Sequence, residues 1–220
     1  MKRVLRNCGL SLVMFACFLA LLAGQSIMGR AEYNNERSHR GLPALRYGEY
    51  LASSHFWETT TENWESEFFQ MALYVLLTAF LFQRGSSESK DPDSPHPSDA
   101  DPRKHRGSKD APWPVRRGGV ALVLYEYSLS IAFVLLFLLS LVAHGISGCR
   151  LYNEEQAALG AAATDFIGYL GTTRFWFESL QNWQSEFLAV LSIVVLSIFL
   201  RHRGSPESKP VHAPHGETGS

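Results

Sequence analysis

Cysteine is scarce and scattered. The chain has three cysteines in 220 residues, with Cys8 and Cys17 in or beside one apolar stretch and Cys149 alone. With an odd count and no CxxC pair, a disulfide framework and a zinc–thiolate site are both excluded as expectations, and the thiols read as unpaired. An excess of charge is missing too. Twenty Lys and Arg stand against 21 Asp and Glu, which gives no signal for a nucleic-acid partner. No segment matches a phosphate loop, a zinc-binding helix or a nucleotide fingerprint. The stretch Gly145-Ile146-Ser147-Gly148-Cys149 ends on Cys where a nucleophile elbow needs Gly. His212 and His215 fall in a polar tail and read as solvated residues. With no nucleophile–base pair and no metal cluster in an apolar stretch, neither an enzyme nor a cofactor is expected.

The apolar residues are gathered into four blocks, while residues 85–119 contain almost none. Residues 10–27 carry no charge, and residues 120–146 are interrupted only by Glu126. Each reaches the roughly 20 residues needed to cross about 30 Å of hydrocarbon. Residues 68–82 and 187–200 are shorter, but each follows a helix-compatible run carrying Trp, and Trp rings favour the headgroup level. Four transmembrane helices are therefore expected. Lys2, Arg3 and Arg6 before the first block, with Ala23 and Gly24 after its core, also fit a signal peptide. A retained helix is the preferred reading, because a matching block recurs at residues 129–146, deep inside the chain.

That recurrence belongs to an internal duplication. Shifting the chain by 119 residues lays residues 10–90 on residues 129–209 without a gap, with 31 identities in 81 positions. Tyr33-Asn34 falls on Tyr152-Asn153, Tyr50-Leu51 on Tyr169-Leu170, and Phe56-Trp57 on Phe175-Trp176. Asn63-Trp64 falls on Asn182-Trp183, and Arg84-Gly85-Ser86 on Arg203-Gly204-Ser205. The expected fold is an all-α membrane protein of two tandem helical hairpins with the same orientation, packed as a four-helix bundle about an approximate two-fold axis. The divisions are residues 1–90 for the first hairpin, 91–117 for a disordered linker rich in Pro, Asp, Ser and His, 118–209 for the second hairpin, and 210–220 for a disordered tail.

Basic residues orient the hairpins. Fourteen lie in the N-terminal tail, the linker and the C-terminal tail, against six in the two hairpin loops. Both termini and the linker are expected in the cytoplasm, with the loops outside. Gly85 and Gly204, each one residue past an Arg, are expected to end the second helix of each hairpin. Ser53-Ser54 and Thr172-Thr173 are the expected N-caps.

Each copy presents Phe-Trp, five residues, then Asn-Trp-x-Ser-Glu-Phe. On a helix Trp57 and Trp64 share a face, as do Trp176 and Trp183. Asn63 and Glu67 are four apart and within reach, as are Asn182 and Glu186. In the first copy a polar stripe continues through Gln70, Tyr74 and Thr78; the second has Ala189, Ile193 and Ser197 there. The tryptophans read as an aromatic belt. Glu67 and Glu186 are either solvated carboxylates or the walls of an outer vestibule for a proton or cation. His144 stands where the first copy has Gln25 and reads as a satisfied polar residue. The glycines from Gly24 to Gly29 and the Gly145-x-x-Gly148 pair mark places where helices approach closely.

The paired motifs, with Tyr-Asn-x-Glu after the first span and Arg-Gly-Ser-x-Glu-Ser-Lys after the second, resemble a bacterial membrane-protein family known as a domain of unknown function. The resemblance implies a protein of the bacterial inner membrane and no chemistry; that both termini lie inside rests on the basic residues. The functional expectation is a non-enzymatic membrane protein whose Trp- and Glu-rich outward face binds a partner, either a second copy or another membrane protein. The alternative is a small proton or cation channel or transporter using Glu67 and Glu186. The lipid bilayer is the one partner both readings share.

Overall fold

The computed structural model describes residues 2–91 and 93–219. Among these the chain is all-helical, with eight α-helices: α1 (Lys2–His39), α2 (Tyr47–Leu51), α3 (Ser54–Phe80), α4 (Trp113–Arg117), α5 (Val120–Glu126), α6 (Ser128–Ala158), α7 (Phe166–Leu170) and α8 (Thr173–Phe199). The segment between α3 and α4 carries two short 3₁₀ turns, Pro97–Asp99 and Pro102–His105. The third apolar block is split at Tyr127, which is non-helical, so α6 begins at Ser128.

Three of the described helices, not the expected four, are long and apolar enough to cross a membrane: residues 6–39 of α1, then α6 and α8. The exception is α3. It is 27 residues long like α8, but its first half carries Glu58, Glu62, Glu65 and Glu67 where α8 has Arg174, Glu178 and Glu186, and its uncharged end holds Gln70, Tyr74 and Thr78 where α8 has Ala189, Ile193 and Ser197. The expected helix ends need correction as well. Gly85 and Gly204 do take positive φ, at 87° and 88°, yet α3 and α8 stop five residues earlier. Each glycine instead turns the loop that follows, in which Ser89 Oγ accepts from the Gln83 N–H and Ser208 Oγ accepts from the His202 N–H.

The chain forms two compact units. The first comprises residues 1–61 and 143–172, the second residues 62–142 and 173–220. In the first unit, the matched Tyr and Asn residues of the two copies build two corners of the same design. The Asn34 side chain clamps Leu45, accepting its N–H at 2.8 Å and donating to its carbonyl at 3.1 Å. Asn153 clamps Thr164 in the same way, at 2.8 Å for both bonds. Tyr50 and Tyr169 are fully buried, and each hydroxyl occupies the space a Cβ would need at Gly29 and Gly148 respectively. Glycine is required at these notches by close approach of a tyrosine, and burying each ring contributes about 1.5–3 kcal/mol. Helices α1 and α6 both end on a left-handed glycine, Gly41 and Gly160. The Leu42 and Ala161 N–H groups reach back to the Arg37 and Gln156 carbonyls, which satisfies carbonyls the helix end would orphan.

Tyr33, Tyr50, Phe56 and Leu151 form the apolar core of the first unit. His55 stacks on Tyr33 at 4.3 Å and Phe56 meets Tyr50 edge-on at 5.7 Å. Burial, and next the neighbouring Tyr33, push the Tyr50 hydroxyl above the ordinary tyrosine pKa. The expected N-cap at Ser53 is present, its Oγ accepting from the Phe56 N–H at 3.3 Å.

In the second unit the C-terminal segment folds around Lys209. The Nζ donates to the carbonyls of Pro214, His215 and Glu217 at 3.3, 3.0 and 2.8 Å. Burial first, then the charge of Arg201, lowers the Lys209 pKa, against an opposing pull from Glu217. Gly219 and Thr218 hydrogen-bond the backbone of Ser86 and Gly85, which holds this segment beside the loop after α3.

Candidate functional site

The polar residues of the second unit meet along the seam between α3 and α8. Asn182 donates to the Glu62 carboxylate rather than to Glu186, its expected partner one turn away. Trp183 Nε1 donates to Glu65 Oε1 at 3.2 Å, and Glu65 is fully buried. Gln70 donates to the backbone carbonyl of Glu186 at 2.7 Å. The stripe continues with Tyr74, whose hydroxyl bonds Glu88, and Thr78, bonded to the Tyr74 carbonyl at 2.8 Å.

Aromatic rings close around this seam. Trp183 lies 4.5 Å from Phe69, 6.4 Å from Phe137 and 6.3 Å from Trp176, ring centre to ring centre. Phe187 meets Phe69 edge-on at 5.8 Å. Trp183 therefore supplies both packing and a donor to a buried carboxylate, the amphipathic use that favours tryptophan at such places. Trp64 is half-buried. Trp176 leaves the seam and is 47 % exposed. Of the two motif glutamates, Glu67 is exposed and Glu186 is half-buried, and Asn63 is exposed as well.

Trp57 belongs to the first unit and is 45 % exposed. That unit holds a polar cluster of its own. Glu58 and His144 are both buried, and a carboxylate oxygen and an imidazole nitrogen of the two lie within 4.8 Å. Around them Gln25 donates to Thr60 Oγ1 at 3.3 Å, and the Thr61 and Ser147 hydroxyls lie 3.5 Å apart. A carboxylate beside an imidazole suits either a shared proton or two ligands of a borderline cation. One turn along α3, Glu62 accepts from Asn182.

Glu58 and Glu65 are the residues that motif matching passes over, and His144 is seen there only as a polar residue. Their signal lies in the differences between the copies, which put Phe177, Gln184 and Gln25 at the same places. A residue that is ionisable in only one copy cannot belong to a shared motif.

A family model described as a domain of unknown function, DUF6766, matches residues 1–220 of the chain. No curated protein and no solved structure matches it.

Proposed function

From the premise that the chain belongs to the DUF6766 family, a family of unknown function, we propose a non-enzymatic membrane protein that acts by binding a partner through its outward Trp- and Glu-rich helix ends. One observation carries this reading: the buried and half-buried polar groups of the α3–α8 seam are used on one another. Asn182 serves Glu62, Trp183 serves Glu65, and Gln70 serves the Glu186 carbonyl. Inside a membrane such pairs act as glue between helices. Below Glu186, α8 offers only Ser192 and Ser197 as polar side chains, which does not line a path for ions. Trp57 and Trp176 are the motif tryptophans left exposed for a partner, a second copy or another membrane protein.

In this proposal the two hairpins arise by duplication, and α3 crosses the bilayer as the fourth span with its polar face turned to α8. The support is the recurrence of element bounds after 119 residues: α2 and α7, α3 and α8, and the ends of α1 and α6 all repeat at that offset. The basic-residue asymmetry supports termini in the cytoplasm and an inner-membrane location in a bacterium.

The second reading, passage of protons or cations, is favoured by one separate observation, the buried Glu58 beside His144. A flux assay in liposomes separates the two. The first reading expects a pH or cation gradient to decay as in empty vesicles, while photo-crosslinkers placed at Trp57 or Trp176 capture a neighbour. Decay driven by the chain and slowed by Glu67→Gln or Glu58→Gln assigns the function to the second.

A further inference from the structure

We propose that the first unit holds one phosphodiester lipid headgroup that carries its own N–H or O–H donor, seated between Trp57 and Arg150. The inference rests on the membrane reading above and goes beyond it by naming a lipid class and a site. The first unit contains a cavity of about 250 Å³ walled by the start of α3 and the outer half of α6. Its polar lining is Ser53, Ser54, Thr61, Ser147 and Arg150, and Trp57 forms one side.

The protons of that lining decide the ligand. Ser53 donates to the Tyr50 carbonyl at 2.6 Å and Ser54 to Glu154 at 3.0 Å. Thr61 donates to the Trp57 carbonyl at 2.6 Å and Ser147 to the Ala143 carbonyl at 2.7 Å. All four hydroxyls have spent their one donor and keep lone pairs for an incoming donor. Arg150 is the opposite case. It is exposed, and among the described residues its side chain makes no hydrogen bond or ion pair. Its guanidinium is a fork of N–H donors suited to phosphate oxygens. The cavity thus offers one cation and a ring of acceptors. A phosphate that also bears an ammonium or hydroxyl complements both; choline, which has no N–H, complements only the first.

The source is a lipid rather than a soluble phosphate because the same cavity has apolar walls at Ala52, Ala143 and Ile146. In addition, an exposed Trp ring favours the headgroup level. The duplication gives no second site: Arg150 aligns with Ala31. One headgroup per chain is expected.

Native mass spectrometry of the full chain in detergent, titrated with phosphatidylglycerol, phosphatidylethanolamine and phosphatidylcholine of identical acyl chains, tests this. The expected result is one retained phosphatidylglycerol or phosphatidylethanolamine, held about tenfold more tightly than phosphatidylcholine, a ratio set by one or two hydrogen bonds. Arg150→Gln is expected to abolish retention of all three. Thr61→Val is expected to keep phosphate binding and erase the preference over choline. Equal retention of phosphatidylcholine by the unmodified chain overturns the proposal, as does selectivity that survives Arg150→Gln. Displacement of the lipid by millimolar inorganic phosphate also overturns it, and reassigns the site to a soluble anion. Carbonate extraction keeps the two claims apart. A chain that stays in the membrane pellet but shows no lipid preference loses only the headgroup site, whereas release into the supernatant removes the membrane reading itself.

Discussion

Helices α3 and α8 have the same length and matching positions in the two copies, yet only α8 is apolar enough to qualify alone as a membrane span. The difference lies in a few side chains. Where α3 has Glu58, Glu65, Gln70 and Tyr74, α8 has Phe177, Gln184, Ala189 and Ile193. What the two share is scaffold: the Phe-Trp pair, the Asn-Trp pair, and the loop after each helix with its Ser staple. The comparison teaches that the two matching stretches agree in the parts that set backbone geometry and differ in the parts that set polarity. One helix is apolar enough to cross a membrane, and the other presents a polar face.

The largest expected effect comes from breaking that polar face where it is most buried. Glu65→Ala removes the acceptor of the Trp183 N–H from a fully buried position and is expected to destabilise the fold by about 2–3 kcal/mol. Gln184→Ala, at the matching but exposed position of α8, is expected to change stability by less than about 0.5 kcal/mol. Unfolding in mixed micelles with rising SDS measures both; equal costs would erase the distinction drawn between the helices.

The shared scaffold is sharpened by a pair of substitutions that should behave alike. Asn34→Ala and Asn153→Ala each remove two bonds to a clamped backbone segment. The expected loss is about 1–2 kcal/mol in each case, the two agreeing within about 0.5 kcal/mol. Hydrogen exchange at the Leu45 and Thr164 amides should rise in the matching variant only. A large loss in one copy and none in the other would show that the corners are not equivalent.

The smallest effect is a pH dependence. The Tyr50 pKa is raised in the folded chain. The folded state therefore holds its proton where the unfolded chain, near the ordinary value of about 10, has begun to lose it. This contribution to stability is complete below pH 10 and is lost as pH rises towards the folded value. Tyr50→Phe is expected to flatten the alkaline decline in stability; a decline of unchanged slope would assign it to other groups.

Much of the scaffold was legible in the sequence. Tyr-Asn and Tyr-Leu matched across copies, and the structure explains why: Asn34 and Asn153 clamp loops, and Tyr50 and Tyr169 fill notches at Gly29 and Gly148. Close approach at those glycines was readable from spacing, though the tyrosine that fills each notch was not. Apolar runs mark α1 and α6 by length and the absence of charge. Helices α3 and α8 each end on an uncharged run of the same length, 68–80 and 187–199, so what separates them is the polar content around it, four glutamates in the first half of α3 and Gln70, Tyr74 and Thr78 beyond. The candidate site was the least legible part. Intrahelical spacing paired Asn182 with Glu186, while the fold brings Asn182 to Glu62 from another helix. No periodicity within one helix encodes such a contact. Glu65 carries no motif signal in the sequence, and His144 reads there only as a satisfied polar residue, for a related reason: burial of an ionisable group depends on neighbours supplied by other segments.

The most direct test of the account asks on which side of the membrane the two hairpin loops lie. Single cysteines at Ala44 and Ala163, in a chain whose three native cysteines are replaced, can be labelled with a membrane-impermeant maleimide in intact cells. If α3 crosses the bilayer as its twin α8 does, both positions react from outside and a cysteine at Ser108 in the linker does not. If α3 stays on one side, only three helices cross, the two loops fall on opposite faces, and labelling of one loop without the other contradicts the paired-hairpin architecture.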